Sequence, residues 1–201
     1  MSTSGDPAPV LLASASPRRR ELLERVGLAL EVVPADVDES PLPGESAEDY
    51  VVRVAADKAH AVHSSRRDRV VLAADTAVVL DGVPLGKPVD DEHALDLLER
   101  LAGRDHQVLT AVVVLDAGGI EQVTLARAGV SMVPSTDAER RWYVASGEPA
   151  DKAGAYAVQG LGAALVEHVE GDPTTVIGLP LRATLELLRV AGVQWPPEPR
   201  G

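Results

Sequence analysis

The sequence predicts an α/β fold in which a mixed central β-sheet carries flanking helices. Three observations lead there: a short apolar run followed at once by a proline-started amphipathic segment, the same strand-then-helix order repeated further along, and two strand pairs joined by tight glycine-containing turns. Strand–helix units require parallel neighbours and hairpins require antiparallel ones, so the sheet must be mixed.

Residues 10–13 are too few for a helix and stop at Ser14-Ala15-Ser16-Pro17, so they read as a buried strand entering a loop. Pro17 suits the first helical position, where its missing N–H costs nothing, and Leu22, Leu23 and Val26 give that helix an inward face ending at Gly27. A second strand over 30–34 runs into an acidic loop over 35–45, which is punctuated by Pro and Gly and carries Asp36, Asp38 and Glu39. Ser46 caps a helix to about Ser64 with Val51, Val54, Ala55, Ala59 and Val62 on one face, and Lys58 falls in the same stripe. Residues 70–80 are strongly β-like, Asp81-Gly82 is a hairpin-type turn, and 83–85 lead back toward Gly86-Lys87-Pro88. A helix over about 91–101 follows. Residues 106–115, rich in β-branched side chains, turn at Gly118-Gly119 into a partner strand over 120–133. Thr136 with Glu139 forms a capping box for a helix through Ala145. The Gly-rich stretch 154–162 passes through Gln159 into a strand over 163–169, and a last helix covers 180–190. The chain reads as one domain over 1–201, ordered over about 10–191, with a frayed Pro-rich tail over 194–201.

Hydrophobic residues make up 45% of the chain, yet Phe is absent and aromatics reach only 2%, so the core must be Val, Leu and Ala packed against each other. A net charge of -12 argues against nucleic-acid polymers and anionic membranes as partners, and any phosphate must be gripped by a local cluster of cations. Without cysteine there is neither disulfide nor thiolate metal site, and the opening residues form neither a signal peptide nor a membrane span. The expectation is a soluble, cytoplasmic protein.

Four places can carry chemistry. In Ser14-Ala15-Ser16-Pro17-Arg18-Arg19-Arg20, hydroxyls, free backbone N–H groups and guanidinium groups meet at a helix N-terminus, which suits phosphate; a capped helix with solvated arginines reads equally well. Asp75, beside Thr76 at the end or a kink of an apolar strand, needs a cation, a metal or a cleft edge, unless it only caps a turn. Lys58 is carried onto a buried helix face and needs an anion there or must snorkel out, while Lys87 on its turn is either solvated or aimed into a cleft. Glu39 offers a second carboxylate for a metal, or belongs to a solvated charge run.

From Leu11 to about Leu188 the chain resembles the Maf family. The likeness rests on Leu12-Ala13-Ser14-Ala15-Ser16-Pro17-Arg18-Arg19, Tyr50-Val51-Val52-Arg53 with Lys58-Ala59, Ala74-Asp75-Thr76, Leu85-Gly86-Lys87-Pro88, the stretch 106–111, and Asp151-Lys152-Ala153-Gly154-Ala155-Tyr156, in the family's order. Ala15 stands where glycine is frequent, and Arg20 is at a variable position. The resemblance implies two lobes around a cleft, as in inosine triphosphate pyrophosphatases, and a homodimer. It implies hydrolysis of a nucleoside triphosphate to the monophosphate and pyrophosphate with a divalent metal, Mg²⁺ or Mn²⁺. Asp75 would accept the proton and, with Glu39, hold the metal. Ser14, Arg18, Arg19, Lys58 and Lys87 would bind phosphate. Arg18, Thr76 and Gln159 resemble the branch that prefers dTTP and UTP. The alternative is a nucleotide-binding regulator of septum formation with little turnover.

Overall fold

The computed structural model describes residues 8–197. Its centre is a seven-stranded mixed sheet in the order β2-β1-β3-β5-β6-β7, with β4 on the side of β3. Strands β1 (Val10–Leu12), β2 (Leu30–Val32) and β3 (Val71–Leu80) run parallel, as expected of strand–helix units. The crossovers are α1 (Pro17–Arg25) and α2 (Ala47–Ser65). The pairs β3–β4 (Val83–Leu85), β3–β5 (Asp105–Leu115), β5–β6 (Glu121–Met132) and β6–β7 (Val166–Glu170) are antiparallel. Asp81 and Gly82 both take positive φ, 52° and 79°, the geometry of a tight hairpin turn that matches strand twist.

Helix α2 covers one face of the sheet, where Val51, Ala55, Ala59 and Val62 pack on Leu11, Ala73, Ala77, Leu109, Ala111 and Val113. The opposite face carries two separate cores. Near β1, Leu22 and Leu23 of α1 and Leu185 and Leu188 of α6 (Leu181–Val190) pack on Leu12, Leu72, Ala74, Val112 and Val114. Toward β4, Leu97 and Leu98 of α3 (Asp91–Leu101) and Tyr143 of α4 (Asp137–Val144) pack on Val78, Leu80, Val108 and Val130. These are the two lobes. On β3 the seam between them falls at Thr76, between Ala74 and Val78, and on β5 at Thr110, between Val112 and Val108.

The seam continues into the strand ladder. β1 pairs with β3 only up to Leu72, and β4 begins its pairing at Val78. Between those points one edge of β3 has no strand beside it, while β5 pairs along the whole other edge. A change of neighbour of this kind is where open α/β sheets place their ligands. Asp75 therefore lies inside the strand, opposite Ala111, and not at its end or at a kink; access comes from the missing neighbour.

Two further differences from the sequence reading have local causes. The expected strand over 163–169 starts later, because Leu161–Leu165 winds into a 3₁₀ turn and β7 begins at Val166. The Pro-rich tail is docked as far as it is described: Trp195 donates its indole N–H to the Val26 carbonyl at 2.9 Å, and the Arg189 guanidinium lies 4.9 Å over its ring. Positions 1–7 and 198–201 of the sequence lie outside the described residues.

Candidate active site

A cavity of about 620 Å³ opens at the break in β3, and Ser14, Arg18, Arg19, Glu39, Lys58, Asp75, Thr76, Lys87 and Gln159 all line it. Every site residue expected from the sequence thus meets in one place. The period-two alternation of a strand sends Asp75 and Thr76 to opposite faces of the sheet, and each meets a buried cation there.

On the α2 face, Lys58 is held in the apolar stripe of the helix, buried to 8% exposure. Its ammonium donates to Asp75 Oδ1 at 2.8 Å and lies 2.8 Å from Glu39 Oε1. Two carboxylates around one ammonium resolve the question of what a lysine does on an inward face: it is paired, and does not snorkel. Only Oδ1 of Asp75 is engaged, so Oδ2, without a hydrogen-bond partner among the described residues, is available to water. Glu39 stands on the acidic loop, which is clamped to α2 by Arg53. The Arg53 guanidinium forks onto Glu45 at 2.6 and 2.9 Å and donates to the Ser40 carbonyl at 3.0 Å. That pairing, with the Leu42 N–H, lowers the Glu45 carboxyl to about 2.

On the other face, Arg19 is buried and its guanidinium meets only neutral acceptors. Nε donates to the Gly178 carbonyl at 2.8 Å, and the two terminal nitrogens donate to Ser14 Oγ and Thr76 Oγ1, each at 3.1 Å. Among the described residues no carboxylate forms an ion pair with it. Burial pushes its pKa down and the charge of Asp75 pulls it back up, but a guanidinium does not give up its proton at any ordinary pH. The site therefore contains a desolvated positive charge with no anion of its own. Gly178 makes the arrangement possible: it ends α5 (Pro173–Ile177) at φ 113°, a backbone conformation that residues with a Cβ rarely adopt.

At the mouth, Arg18 pairs with Asp151 at 3.0 Å, and Asp151 also meets Lys152 at 2.6 Å. Lys87 is exposed on its turn, where the Gly86 carbonyl accepts from the Gly154 N–H at 3.0 Å. Gln159 is exposed on a loop braced by Glu148, whose carboxylate accepts from the Leu161 and Gly162 N–H groups and the Tyr143 hydroxyl. A Cβ at Gly160 would run into the Glu148 carboxylate, so glycine suits the loop beside this brace.

A divalent metal fits the donor set in one respect. Asp75 and Glu39 present hard carboxylate oxygens that already converge on a single cation, and Mg²⁺ is commonly held by one or two carboxylates with phosphate and water completing its shell. No group of three or more acidic or histidine side chains suited to a metal exists among the described residues, so the protein alone does not make a closed cage.

Sequence reasoning gave no site role to Thr110, Asp151, Lys152 or the end of α5, although the first three stand in stretches that carry the family likeness. Asp172-Pro173 followed five residues later by Gly178 is a readable signature of a short helix, with cap, first-turn proline and terminal glycine. Thr110 gave no signal, because a threonine in a run of β-branched residues is what any strand contains.

The family model described as Maf-like protein matches residues 9–191. A dTTP/UTP pyrophosphatase of Anaeromyxobacter dehalogenans (strain 2CP-1) is 54% identical over 190 residues, which cover 93% of this chain and 96% of that protein. A dTTP/UTP pyrophosphatase of Myxococcus xanthus (strain DK1622) is 49% identical over 193 residues, 96% of this chain and 97% of the other. Among solved structures, a HAM1 protein from Coxiella burnetii superposes with a TM-score of 0.51 over 92% of this chain and 100% of its own, at 16% identity, and shares the fold.

Proposed function

Because the chain belongs to the Maf-like protein family, we propose that it is a nucleoside triphosphate pyrophosphatase, cleaving between the α- and β-phosphates to give a monophosphate and pyrophosphate, with dTTP and UTP as preferred substrates. The observation that carries the reading is the pairing, in one cavity, of a buried cation lacking any anion with a carboxylate that has a free oxygen. The first suits a phosphate and the second suits a water. The dTTP/UTP preference is supported by the names of its relatives, which are half identical along nearly the whole chain.

In this mechanism Asp75 Oδ2 accepts the proton of a water aligned for attack on the α-phosphorus, and Lys58 holds the carboxylate in position through Oδ1. Arg19 binds phosphoryl oxygens through its uncommitted N–H groups, helped by Arg18, Lys87 and the Ser14 hydroxyl, so that charge growing on the departing pyrophosphate meets preorganised donors. A divalent ion, Mg²⁺ or Mn²⁺, would be held by Asp75 and Glu39 and, when bound, would supply further neutralisation of the phosphates. Gln159, on the exposed loop at the mouth, reads the base with an amide that both donates and accepts. Among the described residues no helix is long and apolar enough to cross a membrane. A single-domain protomer acting as a cytoplasmic homodimer completes the proposal.

The test is release of pyrophosphate and monophosphate from dTTP, UTP, CTP and GTP in the presence of Mg²⁺ or Mn²⁺. The native chain is expected to turn over dTTP and UTP fastest. Asp75→Asn, which keeps the shape but removes the base, should lose at least about a hundredfold in kcat. Native-like turnover by that variant would mean that Asp75 is not the proton acceptor.

A further inference from the structure

Thr110 is fully buried on β5, directly opposite Thr76 in the β3–β5 ladder. Its hydroxyl lies 2.8 Å from the Thr175 carbonyl and 2.9 Å from Thr76 Oγ1. A carbonyl cannot donate, so the proton of Thr110 goes to Thr175. Thr110 must then accept from Thr76, and the proton of Thr76 is committed as well. What remains on Thr76 is acceptor capacity alone, and Arg19 uses it at 3.1 Å. The hydrogen bonds therefore run in one direction, from Arg19 through Thr76 and Thr110 to the backbone of α5.

The Ser14 side of the guanidinium has the opposite polarity. Ser14 Oγ accepts from Arg19 and from the Ser16 N–H at 3.3 Å, which occupies its two lone pairs. The Ser14 proton is left to donate, and Ser14 lines the cavity. One guanidinium thus separates a hydroxyl that can only donate from a hydroxyl that can only accept. An anion finds a partner in the first and repulsion at the second.

From this directional chain we infer that Thr110, which does not line the cavity, is a positioning residue: it fixes the hydroxyl of Thr76 as an acceptor and so holds Arg19 for phosphate. Without the Thr110 oxygen, the proton of Thr76 has no acceptor at that place and turns toward the guanidinium or the cavity. Arg19 then loses a partner that keeps its fork in the plane set by Ser14 and Gly178. The inference deepens the pyrophosphatase reading and rests on it for the kinetic arm of the test, while the binding arm stands apart.

The experiment compares Thr110→Val, which keeps the volume and removes the hydroxyl, with Thr110→Ser, which keeps the hydroxyl. Val108, Val112 and Val114 lie on the same face of β5, so valine suits the site. Titration of each purified protein with inorganic tripolyphosphate in a calorimeter measures the anion site without any turnover, and steady-state kinetics on dTTP give kcat and KM. Thr110→Val is expected to weaken tripolyphosphate binding and lower kcat/KM by roughly ten- to a hundredfold, the usual size for a hydrogen bond to a charged group. Thr110→Ser should stay near native. If Thr110 acts through Thr76, then Thr76→Val and the double variant Thr76→Val/Thr110→Val should show the same loss, so the second substitution adds nothing. Native-like binding by Thr110→Val, or losses that simply multiply in the double variant, would overturn the inference. Should Thr110→Val fail to fold, Thr110→Ser against Thr110→Ala isolates the same hydroxyl, and equal binding by those two would overturn it instead. A native chain that binds tripolyphosphate but releases no pyrophosphate would sink the enzyme reading and leave the positioning role standing.

Discussion

The two faces of β3 handle a buried cation in opposite ways. Lys58, on the α2 face, lies 2.8 Å from each of two carboxylates, so its charge is more than balanced. Arg19, on the other face, is buried to much the same degree but meets a carbonyl and two hydroxyls, none of which carries a charge. A buried ion pair recovers part of its desolvation cost, whereas a buried lone cation does not. The charge on one face is therefore balanced from within the protein and the charge on the other is not: Lys58 is paired in the free chain, and Arg19 is paired by an anion from outside.

Removing each charge in turn, and recording turnover with Mg²⁺ and melting temperature without added metal, puts the two faces in direct competition. Lys58→Met leaves Asp75 and Glu39 facing each other with no cation between them. It should lose about a thousandfold in turnover, since base positioning fails, and about 3 kcal/mol in stability, as breaking a buried pair does. Arg19→Met should lose about a hundredfold in kcat/KM, because an oriented donor to the phosphates is gone. Its melting temperature is expected to hold or rise, since an uncompensated buried charge is replaced by an apolar side chain of similar length. Melting temperatures that fall together would show that both cations are structural, and the distinction between the faces would be lost. Inorganic tripolyphosphate adds a finer discrimination: it should raise the melting temperature of the native chain and of Lys58→Met, and leave that of Arg19→Met almost unmoved.

The same contrast explains what could be read from the sequence. Lys58 was legible because helical phase placed a charge on an apolar stripe, and Asp75 because it interrupts the otherwise apolar run of β3. Both are breaks in a local pattern, and a pattern is visible without coordinates. The element order followed from the same kind of signal, and the capping box at Thr136 and Glu139 and the helix start at Pro17 are present as expected. What stayed hidden depends on contacts distant in the chain. Nothing local states that the Gly178 carbonyl reaches Arg19, that Thr110 meets Thr76, or that Asp151 lies across the cavity mouth from Arg18. The strand-end placement of Asp75 failed for the same reason, because the gap between β1 and β4 is a property of the ladder and not of the segment. Convergence of the phosphate-binding residues was expected from family likeness, and the assignment of each to a face of the sheet came only with the structure.

A third buried basic group gives the smallest effect and separates charge retention from burial itself. His106 is 5% exposed, its Nε2 meets the Tyr156 hydroxyl at 2.7 Å, and its Nδ1 has no partner among the described residues. Burial lowers its pKa to about 4 from the ordinary value near 6.5, with Asp105 opposing weakly. An imidazole can answer burial by staying neutral, which is the option that the guanidinium of Arg19 lacks. Since the folded pKa lies below the unfolded one, the unfolded chain takes up the proton first as pH falls. The contribution of His106 is therefore complete above about pH 6.5 and is lost progressively as pH drops toward 4, by about 2 kcal/mol at pH 5. His106→Gln, neutral throughout, should flatten that part of the profile: between about pH 7.5 and about pH 5 its melting temperature should fall less than that of the native chain. Parallel profiles for the two proteins would mean that His106 is already charged inside the fold, and that burial on this side of β5 does not by itself decide which bases keep their proton.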